Sequence, residues 1–227
     1  MIEDALLTNL NQSQKAAVTF PVAGQLSILA GPGSGKTQTL TSRTAWLLSL
    51  GIPPWNIVVT TFTVKSAREM RERIGNLIGM SRASKLILGT FHSIARRYLV
   101  QYGHLINIQN NFGIADSADS LAIVKRVIKK YRLNIDPKVA RSRISGIKAR
   151  GGSQKQKQTR SGQVSIENQD FETCHYEYDV ALHRSNLLDY DDLLLKCVNL
   201  LKEHPECVAN IEAVLIDEFQ DTNIVQF

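Results

Sequence analysis

Short apolar runs alternate with helix-like segments in the first part of the chain. The apolar runs are residues 26–30, 57–62 and 86–88, and each leads through a glycine- or threonine-containing turn into a helical spacing of apolar positions. Helices are predicted over about 36–50, about 66–78 and around 94–99. Fully apolar strands that alternate with helices indicate a parallel sheet covered on both faces. The pattern therefore predicts an α/β fold.

The pattern changes after about residue 99. Helical spacing of apolar positions continues at 121–128 and 193–201, and an apolar strand returns only at 214–216. Residues 150–163 are rich in Gly, Ser, Gln and Lys, which predicts a flexible loop. We therefore predict one α/β domain formed by residues 1–92 and 209–227, with a mainly helical insertion over residues 93–208.

Basic residues are concentrated in this insertion. The chain carries a formal net charge of +6, and thirteen of its 27 Lys and Arg residues lie between positions 125 and 160, beside a single acid, Asp136. A solvated helical face with a polar loop is one interpretation, and a surface that follows a phosphate backbone is the other. The charge favours an anionic partner without identifying it.

Composition argues against several classes of protein. No apolar run approaches the roughly 18 residues that a membrane span requires, and the acidic start of the chain does not resemble a signal peptide. Cys174, Cys197 and Cys207 are odd in number and widely spaced. Reduced intracellular thiols are therefore expected, rather than a zinc site or disulfides.

A phosphate-binding loop is predicted at residues 30–37. Its sequence is Ala30, Gly31, Pro32, Gly33, Ser34, Gly35, Lys36 and Thr37. Glycines between a strand and a helix let successive backbone N–H groups face a phosphate at the positive end of the helix. Lys36 would reach the β- and γ-phosphates of ATP, and Thr37 would offer its hydroxyl to Mg²⁺. An ordinary glycine-rich turn is the alternative interpretation.

Two carboxylates follow the apolar strand at 214–216. Asp217 would hold Mg²⁺, and Glu218 would orient and deprotonate the attacking water. Such a strand end alone often only meets a solvated loop. The phosphate-binding loop upstream makes the nucleotide interpretation stronger, and the pair predicts an ATP-hydrolysing P-loop protein.

Several motifs resemble those of the UvrD/Rep/PcrA helicases of superfamily 1A. Residues 217–223 read DEFQDTN, as in motif II of that family, and residues 10–17 resemble its Q-motif. Residues 61–67 resemble motif Ia, residues 89–93 read GTFHS, and residues 188–194 resemble a later DFDDL segment. The motifs stand in the family's order and span nearly the whole chain.

The resemblance implies a RecA-like P-loop domain and a set of binding residues. For ATP it adds Gln14, which would read the adenine edge, together with Gln38 and Gln220. For single-stranded DNA it implies Phe62, Thr63, Thr90, Phe91, His92 and Tyr190, by base stacking and hydrogen bonds. A purely structural role stays open for two of them, since Phe62 would suit a core and Tyr190 would suit a helix start.

Two positions depart from the family pattern. Gln38 stands where an arginine often stacks on the adenine, so the chain offers a hydrogen-bonding amide but no cationic plane. Val64 replaces the usual asparagine of motif Ia and removes one hydrogen bond to DNA. Neither departure affects the phosphate chemistry.

The resemblance extends to cellular role. Residues 111–116 and 141–145 look most like fungal anti-recombinase helicases of this group, which clear recombinase filaments in the nucleus. A bacterial source would place the protein in the cytoplasm. The implied partners are single-stranded DNA, junctions of single- and double-stranded DNA and a recombinase filament, with the chain itself a monomer.

The motifs of the family's second RecA-like domain do not occur in these residues. We therefore expect this polypeptide by itself to bind MgATP and single-stranded DNA weakly, without appreciable hydrolysis or unwinding. The parent would be a 3′-to-5′ DNA helicase. The alternatives are a nucleotide- or DNA-binding module without turnover, a remnant of a truncated gene, or a nuclease-fused helicase.

Overall fold

The computed structural model describes residues 6–152, 166–222 and 225–226. Two compact units divide the chain: Met1–Ile94 with Cys207–Asp221, and Ala95–Glu206 with Thr222–Phe227. Most of the predicted loop at 150–163, including Lys155, Lys157 and Arg160, lies outside the described residues, as does Asn223 of the motif at 217–223.

The described helices and strands are as follows, in chain order. The helices are α1 Gln12–Val18, α2 Lys36–Ser49, α3 Val64–Ile78, α4 Met80–Ala83, α5 Phe91–Tyr102, α6 Ser117–Tyr131, α7 Pro137–Lys148, α8 Ile166–Arg184 and α9 Tyr190–Glu203. The strands are β1 Ile57–Thr61, β2 Ile87–Thr90, β3 Gly113–Ala115, β4 Leu187–Asp189 and β5 Ala213–Ile216. Short 3-10 turns occur at Pro54–Asn56, Gly103–Ile106, Pro205–Val208 and Phe219–Asp221.

A parallel sheet with the order β2–β1–β5 organises the first unit. Val59 lies opposite Leu88 on one side and Leu215 on the other. Its core consists of Leu47, Ile57, Val59, Met70, Ile74 and Leu86, each at most 2% exposed. The predicted parallel sheet is confirmed, because the apolar runs at 57–62, 86–88 and 214–216 all supply strands.

The predicted strand at residues 26–30 is wrong. The segment is irregular, and its apolar side chains are exposed: Leu26 by 46%, Ile28 by 43% and Leu29 by 95%. A strand exists only where a neighbour completes its backbone hydrogen bonds. Among the described residues β1 pairs with β2 and β5, and no strand pairs with 26–30. The apolar composition of residues 26–30 was therefore not enough to make this segment a strand.

The predicted helices of the first unit are present, with ends set by local caps. The chain enters α3 two residues earlier than predicted, because the Thr63 hydroxyl accepts a hydrogen bond from the Ser66 backbone N–H at 3.0 Å. Asn11 caps α1 in the same way, and Gln14 completes a capping box by accepting from the Asn11 backbone N–H. The sequence patterns had not predicted α1.

The second unit is mainly helical, and helices α6, α7 and α8 bury a separate core. Val124, Ile144, Phe171, Tyr178 and Leu182 are its centre, each at most 2% exposed. Strands β3 and β4 form a parallel pair in which Ala115 lies opposite Asp189. These strands were not predicted, because three residues are too short to show a period. In the part of the chain that the structure describes, no helix is long and apolar enough to cross a membrane.

Candidate functional site

Several predicted site residues of the first unit lie where the parallel strands end. Thr61 at the end of β1 lies opposite Thr90 at the end of β2. Asp217 directly follows β5, and its backbone N–H donates to the Thr60 carbonyl at 2.9 Å. The carboxyl edge of a parallel sheet is the usual place for a ligand, since the loops that follow the strands converge there.

Residues 31–35 form a tight turn that leads into α2. The backbone N–H and the hydroxyl of Ser34 both donate to the Gly31 carbonyl, at 3.3 and 2.7 Å. Gly35 precedes the helix with φ +84°, a left-handed conformation that favours glycine. Lys36 opens the helix, and its ammonium donates to the carbonyls of Ala30 at 2.9 Å and Gly31 at 3.1 Å. The lysine is thus held over the loop.

Gln14 joins α1 to this loop. Its Nε2 donates to the Ser34 carbonyl at 3.1 Å, and its Oε1 accepts from the Asn11 backbone. An amide has two N–H groups and two lone pairs, so one donor and one acceptor are left for a ligand. A Cβ on Gly35 would lie 2.7 Å from the Gln14 Nε2, which gives Gly35 a second reason to be glycine. The cavity beside them is lined by Gln14, Leu29, Lys36 and Thr39.

Arg43 supports this arrangement and was missed by sequence reasoning. Its guanidinium donates to the carbonyls of Val18 at 2.7 Å and Pro21 at 3.3 Å, just where α1 ends. A basic residue facing the last carbonyls of a helix is a favourable partner for them. An arginine within α2 gives no sequence signal for this contact, because its acceptors lie more than twenty positions away.

Asp217 is nearly buried, at 8% exposed. Burial raises the pKa of its carboxyl, and the neighbouring Glu218 raises it further. A hydrogen bond from the Glu218 backbone, the positive charge of Lys36 and the Thr61 hydroxyl oppose the shift.

Glu218 adopts a strained backbone conformation. Its φ is +52°, which costs energy for a residue other than glycine and is often found at functional sites. The Gln220 amide donates to the Glu218 carboxylate. The described partner of Gln220 is therefore this glutamate, and its predicted contact with ATP stays a prediction.

Two aromatic rings stand side by side at the same edge. Phe62 and Phe91 follow β1 and β2, and their rings meet edge to face with centroids 5.8 Å apart. Phe62, Phe91 and His92 are all partly buried. Thr63 is occupied as the cap of α3, and the Thr90 hydroxyl accepts from the Ser93 backbone at 3.2 Å. The aromatic faces are thus the feature of this edge best suited to stacking.

The remaining loop residues keep their predicted positions. Pro32 and Gly33 lie exposed in the turn, Thr37 is half-buried in the first turn of α2, and the Gln38 side chain is exposed beside it. Thr37 and Asp217 offer hydroxyl and carboxylate oxygens, which are the ligand types that Mg²⁺ prefers.

Comparison with known proteins identifies the family. A model of the UvrD/REP helicase N-terminal domain matches residues 10–227. The ATP-dependent DNA helicase srs2 of Schizosaccharomyces pombe is 38% identical over 99% of this chain and 28% of its own length. DNA helicase II of Escherichia coli is 37% identical over 98% of this chain and 31% of its own. The ATP-dependent DNA helicase PcrA of Staphylococcus aureus is 34% identical over 99% and 31%.

The chain belongs to the UvrD/REP helicase family. It spans 28% and 31% of the length of the first relatives named above. The predicted family resemblance is confirmed, including the similarity to a fungal member. All three relatives are DNA helicases by name, and two of them are named as ATP-dependent, so a helicase N-terminal region is the supported identity.

The second unit of this UvrD/REP helicase region carries Tyr190. Tyr190 is the first residue of α9 and is 45% exposed. It follows Asp189, whose carboxylate caps the helix by accepting from the Asp192 backbone at 2.8 Å. Tyr190 thus lies at the start of a helix, and the side chain that caps this helix is that of Asp189.

The structure sorts the basic stretch of this unit into two groups. Lys148 is buried, and Arg141 pairs with Asp191 at 3.6 Å. Eight other basic side chains of the stretch are exposed: Lys125, Arg126, Lys129, Lys130, Arg132, Lys138, Arg143 and Arg150. Arg143 also lies over the Phe171 ring at 3.7 Å. A phosphate-binding surface would therefore use the exposed group, centred on α6.

Proposed function

We propose that this chain is the ATP-binding part of an ATP-dependent DNA helicase, and that its first unit binds MgATP. The observation that carries the proposal is the presence of two features in one compact unit. Lys36 follows a glycine-rich turn and opens α2, and the carboxylates of Asp217 and Glu218 directly follow β5. That combination suits a triphosphate with its metal.

Each residue takes a role that its chemistry allows. Lys36 binds the β- and γ-phosphates, with backbone N–H groups of residues 31–36. Thr37 and Asp217 would hold Mg²⁺, which would supply charge neutralisation of the phosphates when bound. Glu218 accepts a proton from the attacking water, and Gln14 uses its remaining donor and acceptor on the adenine edge.

Binding of a fluorescent ATP analogue tests this site directly. Lys36→Ala is expected to weaken binding at least tenfold, whereas Lys85→Ala, which removes an exposed lysine of the same unit, leaves it unchanged. Asp217→Asn is expected to remove the Mg²⁺ dependence of the affinity. Equal affinity for the unmodified chain and Lys36→Ala would reject the proposal.

We further propose that single-stranded DNA binds along the edge formed by Phe62, Phe91 and His92. Stacking of bases on aromatic rings is worth about 1–3 kcal/mol per base and tolerates any sequence. Thr63 and Thr90 lie beside these rings and would add hydrogen bonds, and Tyr190 would add a further stacking surface on the second unit. The exposed basic residues of α6 and α7 would supply phosphate contacts.

A further part of the proposed function belongs to the whole protein. We propose that the first unit is a RecA-like domain and the second its insertion, and that the parent moves 3′ to 5′ on single-stranded DNA as a monomer. Junctions of single- and double-stranded DNA are its substrates. The similarity to srs2 supports a nuclear role in recombination control, with a recombinase filament as target.

A further inference from the structure

A lysine is buried among carboxylates in the second unit. Lys148 ends α7 and is 4% exposed. Its ammonium lies 2.8 Å from an Asp192 oxygen, 3.0 Å from an Asp179 oxygen and 3.1 Å from an Asp189 oxygen. An ammonium group has three N–H donors, so these three acceptors satisfy it completely.

Tyr178 completes this cluster from another side. Its ring is fully buried in the core of the unit, and its hydroxyl donates to the Asp189 Oδ2 at 2.8 Å. The same oxygen accepts from Lys148, while the other oxygen of Asp189 accepts from the Asp192 backbone. Both oxygens of a fully buried carboxylate are therefore held in place.

The cluster fixes the start of one helix. Asp189 ends β4 and caps α9, and Asp192 lies in the first turn of α9 and accepts from the Asp189 backbone N–H at 3.3 Å. Lys148 touches both carboxylates of this capping box from α7, and Tyr178 touches the first from α8. Strand β4 and helices α7 and α8 thus together set the position and direction of the first turn of α9.

Stability alone does not explain such a cluster. A buried ion pair costs about as much desolvation as it returns in attraction, and well-packed apolar residues often serve equally well. Its distinctive property is geometric, because charged hydrogen bonds fix atoms at defined distances and angles. The residue that emerges from this fixed turn is Tyr190, which is exposed between the two capping aspartates.

We propose that Lys148 is a positioning residue for Tyr190, and that through Asp189 and Asp192 it holds that ring where it stacks on single-stranded DNA. This inference rests on the proposed function of Tyr190. Lys148 itself is 4% exposed, so it acts through the carboxylates that it contacts. Its positive charge is therefore not part of the exposed basic surface, and it pairs with carboxylates inside the unit.

A double-mutant cycle tests this coupling in the whole chain. Tyr190→Ala is expected to weaken binding of an oligothymidylate roughly 5- to 150-fold, the equivalent of one stacking contact. Lys148→Met is expected to cause most of the same loss, and the double variant to bind no more weakly than Tyr190→Ala. Tyr176→Ala and Lys202→Met, which remove exposed side chains of the same unit, serve as controls and should leave affinity unchanged.

Two further measurements separate positioning from simple unfolding. Tyr178→Phe removes one hydrogen bond to Asp189 without loss of packing, and it should weaken DNA binding only when Tyr190 is present. Affinity for the ATP analogue, which the first unit binds, should not change in any of these variants.

Each contrary outcome has a distinct meaning. Independent, multiplicative effects of Lys148→Met and Tyr190→Ala would overturn the positioning role, and so would normal DNA affinity in a folded Lys148→Met chain. No effect of Tyr190→Ala would instead overturn the proposed contact of Tyr190 with DNA, and the positioning role with it. If Lys148→Met unfolds the unit, Tyr178→Phe takes its place in the test. Additive effects of Tyr178→Phe and Tyr190→Ala on the free energy of DNA binding would then reject the inference.

Discussion

The surroundings of Phe62 are compatible with two different roles. It directly follows β1 and packs edge to face on Phe91, as a core residue would. It also lies at the carboxyl edge of the sheet and stays partly exposed, as a stacking residue would. Its ring is thus supported on one side and accessible on another.

Substitution of Phe62 separates these roles. Phe62→Ala should weaken binding of single-stranded DNA by about 1–3 kcal/mol, since one stacking surface is lost. Phe62→Tyr keeps a ring and should bind nearly as well. Titration of a labelled oligothymidylate measures the effect, and binding of the ATP analogue is the control. Equal loss of DNA and nucleotide binding would indicate a core role.

A second residue-scale consequence concerns pH. Burial raises the pKa of the Tyr178 phenol, and the Asp189 carboxylate raises it further. Burial lowers the pKa of Lys148, but Asp192, Asp189 and Asp179 together outweigh it and hold the value above its ordinary 10.5. Both groups thus bind their protons more tightly in the folded chain. Their stabilising contribution is complete below their ordinary pKa values and is lost as pH rises through the folded ones.

The free energy of unfolding should therefore fall at alkaline pH. Urea unfolding between about pH 8 and pH 11 should show a decline that begins near 10, the ordinary pKa of tyrosine. Tyr178→Phe should make the decline shallower, while Tyr176→Phe, at an exposed position, should not. Identical pH profiles for Tyr178→Phe and the unmodified chain would contradict the assigned role of the buried phenol.

At the scale of elements, the sequence predicted those parts of the fold whose signals are local. The helix of residues 64–78 has both an amphipathic pattern and a capping threonine, and three apolar runs became parallel strands. The segment at 26–30 has equally apolar residues but no described neighbour to pair with. Strand formation depends on a distant partner, so composition could not decide it.

The candidate site shows the same division. The glycines and the lysine of the loop could be predicted, because their spacing along the sequence is typical of such a turn. Other contacts could not be predicted, because they join separate elements or depend on a backbone conformation, and no pattern in the sequence indicates them. They are the contacts of Arg43, the cluster around Lys148 and the Gln220–Glu218 hydrogen bond.

Thr63 provides a prediction at this scale, since its side chain begins α3. Thr63→Ala should lower the free energy of unfolding by about 1 kcal/mol, because the Ser66 N–H loses its acceptor. Thr63→Ser keeps the hydroxyl and should restore most of it. Chemical denaturation measures both variants. Equal stability of the alanine and serine variants would show that the cap is dispensable.

At the scale of the whole molecule, nearly half of the basic residues lie between positions 125 and 160. Eight basic side chains between 125 and 150 are exposed, whereas Lys148 is neutralised inside the second unit. A charge count from the sequence treats all of these residues alike. Within the described part of the basic stretch, the exposed group is the part available to phosphates.

Salt dependence of DNA binding tests that division. Replacing Lys125, Arg126, Lys129 and Lys130 by alanine should reduce the log–log slope against salt by nearly 3, at about 0.7 per phosphate contact on a single strand. Lys148→Met should leave the slope unchanged even where it lowers affinity. An unchanged slope in the fourfold variant would identify that face of α6 as merely solvated.

The central claim is that Lys36 and Asp217 form the ATP site of a DNA-dependent motor. Its most direct test is ATP hydrolysis by the longest form of this protein that its gene encodes, with and without single-stranded DNA. Hydrolysis should rise strongly with DNA and should be lost in Lys36→Ala, with Lys85→Ala as the matched control. Hydrolysis that ignores DNA, or that persists in Lys36→Ala, would contradict the claim.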